Sequence, residues 1–291
     1  MIRPLSFGFN TQTAPSNAFQ QEVKADDVSL NAQKEFDRMV AQLKDAEISV
    51  QVFEDLREDL PDSVFSNNWI AHLPDKQLTL FPMLTENRRA EVRADIVDWL
   101  IKKEICDTVI DLRASTENQK FLEGTGSIVF DYENNVAYAS ESPRTDIVLF
   151  ETYCKQLGYH PVSFQSFDLN GNAIYHTNVM MSVARKYALV CLESITDAVE
   201  RKMLEIQITQ TGRELITISF QQMNHFGGNC IEVLNAQNQP VLLMSQKALN
   251  ALNADQKKQI QKYATILAFE IPVIETIGGG SVRCMITGLF A

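Results

Sequence analysis

Polar residues able to do covalent chemistry recur along this chain at a nearly constant interval. Asn67 and Asn68, Glu123 just ahead of Gly124-Thr125-Gly126, His176, Asn229 and Cys284 each stand where a stretch with strand character begins. Between Asn68, Gly126, His176, Asn229 and Cys284 the intervals are 58, 50, 53 and 55 residues. A thiol, an imidazole and a carboxylate form a complete nucleophilic set: a thiolate to attack, a histidine to move protons, a carboxylate to orient it or accept a proton. Each also has a plain structural reading. Free cysteine mostly behaves as a small hydrophobe; His176, within Ile174-Tyr175-His176-Thr177-Asn178, could be a structural hydrogen-bonder, and Glu123 a solvated turn residue. Their falling in phase with one repeat favours the functional reading.

The elements that must position these residues follow from the pattern between them. Gly278, Gly279 and Gly280 let the backbone take positive φ and approach a ligand closely, and the apolar run to Phe290 has strand character. Cys284 is thus expected where a flexible loop becomes a buried strand. From the start of the chain, Ile2 to Phe9 reads as a strand and Asn10 to Gln20 as a polar loop and candidate lid. Asn31 to Asp45 reads as a helix with Phe36, Met39, Val40 and Leu43 on one face, and Ser49 to Phe53 as a short strand. A hairpin follows, Trp69 to Leu73 and Leu78 to Pro82 turning at Pro74-Asp75-Lys76, then a helix from Asn87 to Lys103.

This strand, hairpin, helix unit recurs. The second copy is Thr108 to Leu112, Ser127 to Tyr138 turning at Glu133-Asn134-Asn135, and Asp146 to Leu157. The third is Val162 to Phe167, Asn178 to Leu192 turning near Arg185-Lys186, and Ile195 to Ile206. The fourth is Leu215 to Phe220, Cys230 to Met244 turning at Ala236-Gln237-Asn238, and Gln246 to Tyr263, broken near Asn253, with a strand at Thr265 to Ile271 after it. Units of this length cannot bury their own faces and must stack or close on one another. Five copies, the last hairpin formed by the Cys284 strand and the Ile2 to Phe9 strand, would give a five-bladed α/β propeller in one domain, residues 1–291. An open α/β sheet is disfavoured, because its strands alternate singly with helices. In a ring, the hairpin entrances face one central cavity.

Composition narrows the partners. A chain of 291 residues with 45% hydrophobic content can bury a large core. Its formal charge of -11 argues against nucleic acid and anionic membrane surfaces and suits a cationic or zwitterionic small molecule. No signal-type apolar segment opens the chain and no run approaches a membrane span, so a cytoplasmic location is expected. Cys106, Cys154, Cys191, Cys230 and Cys284 are odd in number and widely spaced, without a CxxC pair, which points to reduced thiols and away from disulfides or zinc. No metal or cofactor is called for, and a homo-oligomer is compatible with the composition.

Several segments resemble the guanidine-modifying superfamily of penteins, which includes arginine deiminases, dimethylarginine dimethylaminohydrolases and amidinotransferases. They are Pro61-Asp62-Ser63-Val64-Phe65-Ser66-Asn67-Asn68, Leu122-Glu123-Gly124-Thr125-Gly126, His176-Thr177-Asn178, and Gly278-Gly279-Gly280-Ser281-Val282-Arg283-Cys284-Met285. With Phe7-Gly8-Phe9-Asn10-Thr11-Gln12-Thr13, they look most like the citrulline-utilisation hydrolase branch. The resemblance implies a five-bladed propeller, Cys284 as nucleophile, His176 as general acid/base and Glu123 as catalytic carboxylate. It also implies substrate contacts at Asp62 and Phe65, with Arg144 holding a substrate carboxylate; a helix-capping surface arginine is the other reading of Arg144.

The chain departs from the deiminase pattern by having Asn68, Gly126 and Asn178 where aspartates are expected. A guanidinium offers only donors and wants carboxylates, whereas a ureido group has a carbonyl acceptor that an Asn amide can match. This favours a Cys284-dependent hydrolase converting citrulline to ornithine. Arginine deiminase, dimethylarginine hydrolase or amidinotransferase activity is the alternative, and a catalytically silent binding protein a further one.

Overall fold

The computed structural model describes residues 1–23 and 26–290. Four of its five sheets share one plan. The second strand of a hairpin lies in the middle, antiparallel to the first and parallel to the strand after the helix. Gln77–Leu80 lies between Ile70–Leu73 and Thr108–Asp111, and Val136–Ser140 between Val129–Asp131 and His160–Phe164. Tyr187–Val190 lies between Met181–Val183 and Glu214–Thr217, and Pro240–Ser245 between Ile231–Leu234 and Thr265–Phe269. A parallel neighbour requires a crossover. The helices Ala94–Lys102, Ile147–Leu157 and Ala198–Gln210, and the pair Gln246–Ala251 and Ala254–Gln261, provide it. Asp146, Asp197, Ser245 and Asn253 cap these helices by accepting first-turn N–H groups, and the Asn253 cap explains the expected break.

The fifth sheet is smaller: Ile2–Arg3 runs parallel to Phe53–Glu54, with Val28–Asp45 between them. Here the structure corrects the expected closure. The first strand stops at Arg3, because Pro4 has no N–H for a ladder. Cys284 does not open a strand; Val282–Met285 is a 3-10 turn, and residues 286–290 carry no regular element. Among the described residues no hairpin joins the two ends, and the five sheets remain separate ladders. Residues 286–290 are held by individual contacts instead: Ser66 Oγ to Thr287 Oγ1 at 3.0 Å, Arg283 Nη1 donating to Ile286 O at 2.8 Å, and Phe290 N donating to His72 Nδ1 at 3.0 Å. The single helix expected over Asn87 to Lys103 is two, Glu86–Arg89 and Ala94–Lys102, the first turning Arg88 into the interior.

Between the second and third units, Arg213 and Asp131 form a buried bidentate pair, Nη1 to Oδ2 at 2.6 Å and Nη2 to Oδ1 at 2.8 Å, while Arg213 Nε donates to Ala184 O. Removing one partner leaves an uncompensated charge in the core. Asp131→Ala is expected to lower unfolding free energy by about 3–5 kcal/mol in urea denaturation; a loss below about 1 kcal/mol would mean that this pair does not bind the two units together.

Candidate active site

The expected hairpin entrances are short helical turns: Ser66–Asn68, Gly124–Ser127, Thr177–Met180 and Val282–Met285. They pack on one another, which brings Asn68, Glu123, His176, Asn178, Asn229 and Cys284 into one buried cluster. Turns this short leave no hydrophobic period in a sequence, so only their polar residues marked them.

Glu123, 1% exposed, is the hub. Its Oε2 accepts from His176 Nε2 at 2.8 Å and from Arg144 Nη1 at 3.4 Å, and its Oε1 from Leu84 N at 3.0 Å. Burial alone would raise its pKa; Arg144, the His176 hydrogen bond and charge, and Arg88 outweigh burial and hold it at about 2. Burial likewise pushes His176 down to about 4, against the pull of Glu123. At neutral pH the pair is therefore carboxylate and neutral imidazole. Nε2 carries the proton shared with Glu123, which leaves Nδ1 as the basic nitrogen.

Nδ1 lies on the side of Gly126. A Cβ on Gly126 would come within 2.4 Å of Asn68 Nδ2 and 2.7 Å of His176 Nδ1, so the position that departs from the aspartate pattern has no room for a side chain. The amide of Asn68 is oriented by Arg88. A guanidinium has only donors, so the oxygen must face it: Arg88 Nη2 donates to Asn68 Oδ1 at 3.2 Å and to Phe65 O at 3.1 Å. Asn68 Nδ2 is left buried without a partner among the described residues. Arg88 itself lies 2.6 Å from Glu91 in a buried pair.

Around Cys284 the groups are amides. Asn229 Nδ2 lies 3.2 Å from Sγ and Asn178 Nδ2 3.7 Å from it. Asn229 cannot turn the other way, because its Oδ1 accepts Arg283 N at 3.1 Å. Two N–H donors therefore point at the sulfur.

The remaining expected residues form the rim. Asp62 Oδ2 accepts from Asn10 Nδ2 at 2.7 Å and Thr13 Oγ1 at 3.1 Å, while Oδ1 is buried without a partner among the described residues. Arg144 donates to Thr13 O at 3.0 Å and to Ser16 Oγ, and lies over the Tyr175 ring. The Asn10 to Gln20 loop thus sits directly on both residues. Phe65 packs its ring against Gly278 and Gly280, supporting the cysteine loop. Arg88, Tyr175 and Glu91 were missed in the sequence: Arg88 and Glu91, three apart on a helical stretch, carry no local signal that sets them apart from a surface pair.

A family model described as "N,N dimethylarginine dimethylhydrolase, eukaryotic" matches residues 3–291. The chain belongs to this family. It is accordingly a hydrolase acting on C–N bonds of guanidino-type groups, which sets aside the silent-binder reading. No curated protein matches the chain in sequence. Among solved structures, the N-terminal domain of an ArgZ variant covalently bound to a reaction intermediate is 18% identical, with a TM-score of 0.77 over 99% of this chain and 95% of that one. Apo ArgZ, an arginine dihydrolase from cyanobacteria, is 17% identical with a TM-score of 0.77; all of this family member's chain is covered but only 40% of ArgZ. A dimethylarginine dimethylaminohydrolase adduct with 4-chloro-2-hydroxymethylpyridine is 14% identical, with a TM-score of 0.66 over 98% of this chain and 96% of that one. These likenesses show the pentein fold. Among the described residues no helix is long and apolar enough to cross a membrane, and no His, Cys, Asp and Glu group could hold a metal ion.

Two outcomes follow from the geometry. Gly126→Ala forces Asn68 and His176 apart and should lower kcat by about 100-fold while costing about 1–3 kcal/mol of stability, since overpacking strains a filled site and small misplacements are costly in catalysis; wild-type turnover would show that the contact is slack. With His176 protonated only near pH 4, the acid limb of kcat/KM should lie well below the usual histidine range. Protonation would remove the base that His176 is expected to be, so activity should fall as pH drops through that value; a limb near 6.5 would contradict it.

Proposed function

We propose that this protein is a cysteine-dependent hydrolase of the side-chain ureido group of an arginine-like amino acid, converting citrulline to ornithine. The observation that carries the reading is the polarity of Asn68. With Oδ1 committed to Arg88, the atom left for a ligand is the Nδ2 donor. A donor matches a ureido oxygen and opposes a guanidinium, which has no acceptor.

In this reading the Cys284 thiol passes its proton to His176 as Sγ, flanked by the Asn229 and Asn178 amides, attacks the ureido carbon. His176 gives that proton to the departing ornithine amine, and the C–N bond breaks to leave an S-carbamoyl enzyme. His176 then takes a proton from water as it attacks, releasing Cys284 and a carbamate that falls to carbon dioxide and ammonia. Glu123 stabilises the imidazolium at each stage. Arg144 is the seat for the substrate carboxylate, taken when the Asn10 to Gln20 loop gives up its contacts, and Asp62 serves the ammonium. The chain acts as one cytoplasmic domain, its five units arranged as a propeller and its five cysteines free.

The structural neighbours favour a second reading. AgrE has been captured with L-arginine and, with NAD+, with ornithine. Taking arginine to ornithine with release of two ammonia molecules and carbon dioxide takes two hydrolytic cleavages, of which the second is the ureido step above. The same cysteine would first release ammonia through an S-alkylthiouronium intermediate.

The deciding measurement is ammonia and ornithine release with citrulline, arginine and dimethylarginine offered separately, with Cys284→Ser as control. Citrulline turnover lost in Cys284→Ser supports the first reading, and ornithine from both citrulline and arginine the second. Full activity in Cys284→Ser would end both. Asn68→Asp should shift the arginine to citrulline ratio of kcat/KM upward by about tenfold or more; an unchanged ratio removes Asn68 as the selector.

A further inference from the structure

Glu275 is a buried carboxylate that the reaction above does not use. It lies in the helix Pro272–Gly278, which delivers the chain into the glycine loop and the Cys284 turn. The start of that helix is tied down from outside: Glu35 of Val28–Asp45 accepts Val273 N at 2.9 Å and Ile274 N at 3.0 Å. Its end is fixed at Gly279, left-handed at φ 64, whose N–H returns to Glu275 O at 3.0 Å. A Cβ there would lie 2.7 Å from Gln20 N, so only glycine carries the chain through.

Beyond Gly279 the support changes. Tyr175 and Asn17 donate to Gly279 O, and Phe65 wedges Gly278 and Gly280. Ser281 is held by Glu275: its Oγ donates to Glu275 Oε1 at 2.6 Å, both groups buried. The carbonyl of the same serine accepts Cys284 N at 2.9 Å. Two hydrogen bonds therefore lead from a buried carboxylate to the backbone of the sulfur-bearing residue.

We infer that Glu275 is a positioning residue that sets the placement of Cys284 through Ser281, deepening the assignment of Cys284 as nucleophile and resting on it. Removing the acceptor orphans a buried hydroxyl and frees the residue on which the cysteine turn is hung. The asparagine donors around Sγ then meet it at the wrong distance, although the substrate's carboxylate and ammonium sites stay intact.

The test measures kcat, KM and the rate at which iodoacetamide modifies the Cys284 peptide, in Ser281→Ala, Glu275→Ala, Glu275→Gln and the double alanine variant. Ser281→Ala and Glu275→Ala should each lower kcat about 30- to 100-fold, leave KM within about threefold and slow Cys284 alkylation. Glu275→Gln keeps an acceptor oxygen and should recover most of kcat, and the double variant should fall no further than the worse single one. If Glu275→Ala does not fold, Ser281→Ala and Glu275→Gln decide alone. Wild-type kcat and alkylation in Ser281→Ala, a loss confined to KM, or additive losses would overturn the inference. An active Cys284→Ala would instead overturn the nucleophile assignment, so the two failures are distinguishable.

Discussion

Glu123 accepts hydrogen bonds from His176, Arg144 and a backbone amide while almost wholly removed from solvent. A lone carboxylate in that position would protonate; here the guanidinium beside it and the imidazole keep it ionised at neutral pH. The rest of the centre depends on that charge. It fixes which nitrogen of His176 carries the proton, gives Arg144 a reason to be buried, and makes an imidazolium affordable during turnover. Arg144 in turn anchors the Asn10 to Gln20 loop, so loop, base and orienting carboxylate form one electrostatic unit.

Cys284, the proposed nucleophile, has different surroundings. Asn178 and Asn229 offer amide hydrogens to its sulfur, and Asn68 offers another near His176. Each of the amides at Asn68 and Asn229 is oriented by a donor that cannot reverse, Arg88 in one case and a backbone N–H in the other. An aspartate at Asn178 or Asn229 would place an anion beside the sulfur. The neutral residues that set this chain apart from the deiminase pattern thus bear on both substrate and nucleophile.

Much of this was legible in the sequence because the repeat is long and chemically marked. Asn68, Glu123, His176, Asn229 and Cys284 fell at matching phases, and hairpins such as Ile70–Leu73 with Gln77–Leu80 announced themselves through alternation and turn residues. The failures have equally specific causes. The strand expected after Cys284 was an apolar run, but only Met285 and Ile286 are buried, in the cluster that holds Phe65 and the helix Pro272–Gly278, while Leu289 is exposed and no ladder forms. The break between Glu86–Arg89 and Ala94–Lys102 was invisible because Arg88 turns inward to meet Asn68, a partner 20 residues away in sequence. The roles of Tyr175 and Glu275 come from contacts 104 and 6 residues away that no local pattern encodes.

The short turns that carry the polar residues have a consequence for how the protein comes into being. Asn178 and Cys284 are 106 positions apart, and Asn67 meets Thr125 across 58. Pairings this remote in sequence form late in folding, after the local hairpins and helices. Until those remote pairings form, Cys284 lacks its amide donors and His176 its place beside Gly126. The cluster is in this sense a property of completed topology, absent from a polypeptide still being assembled.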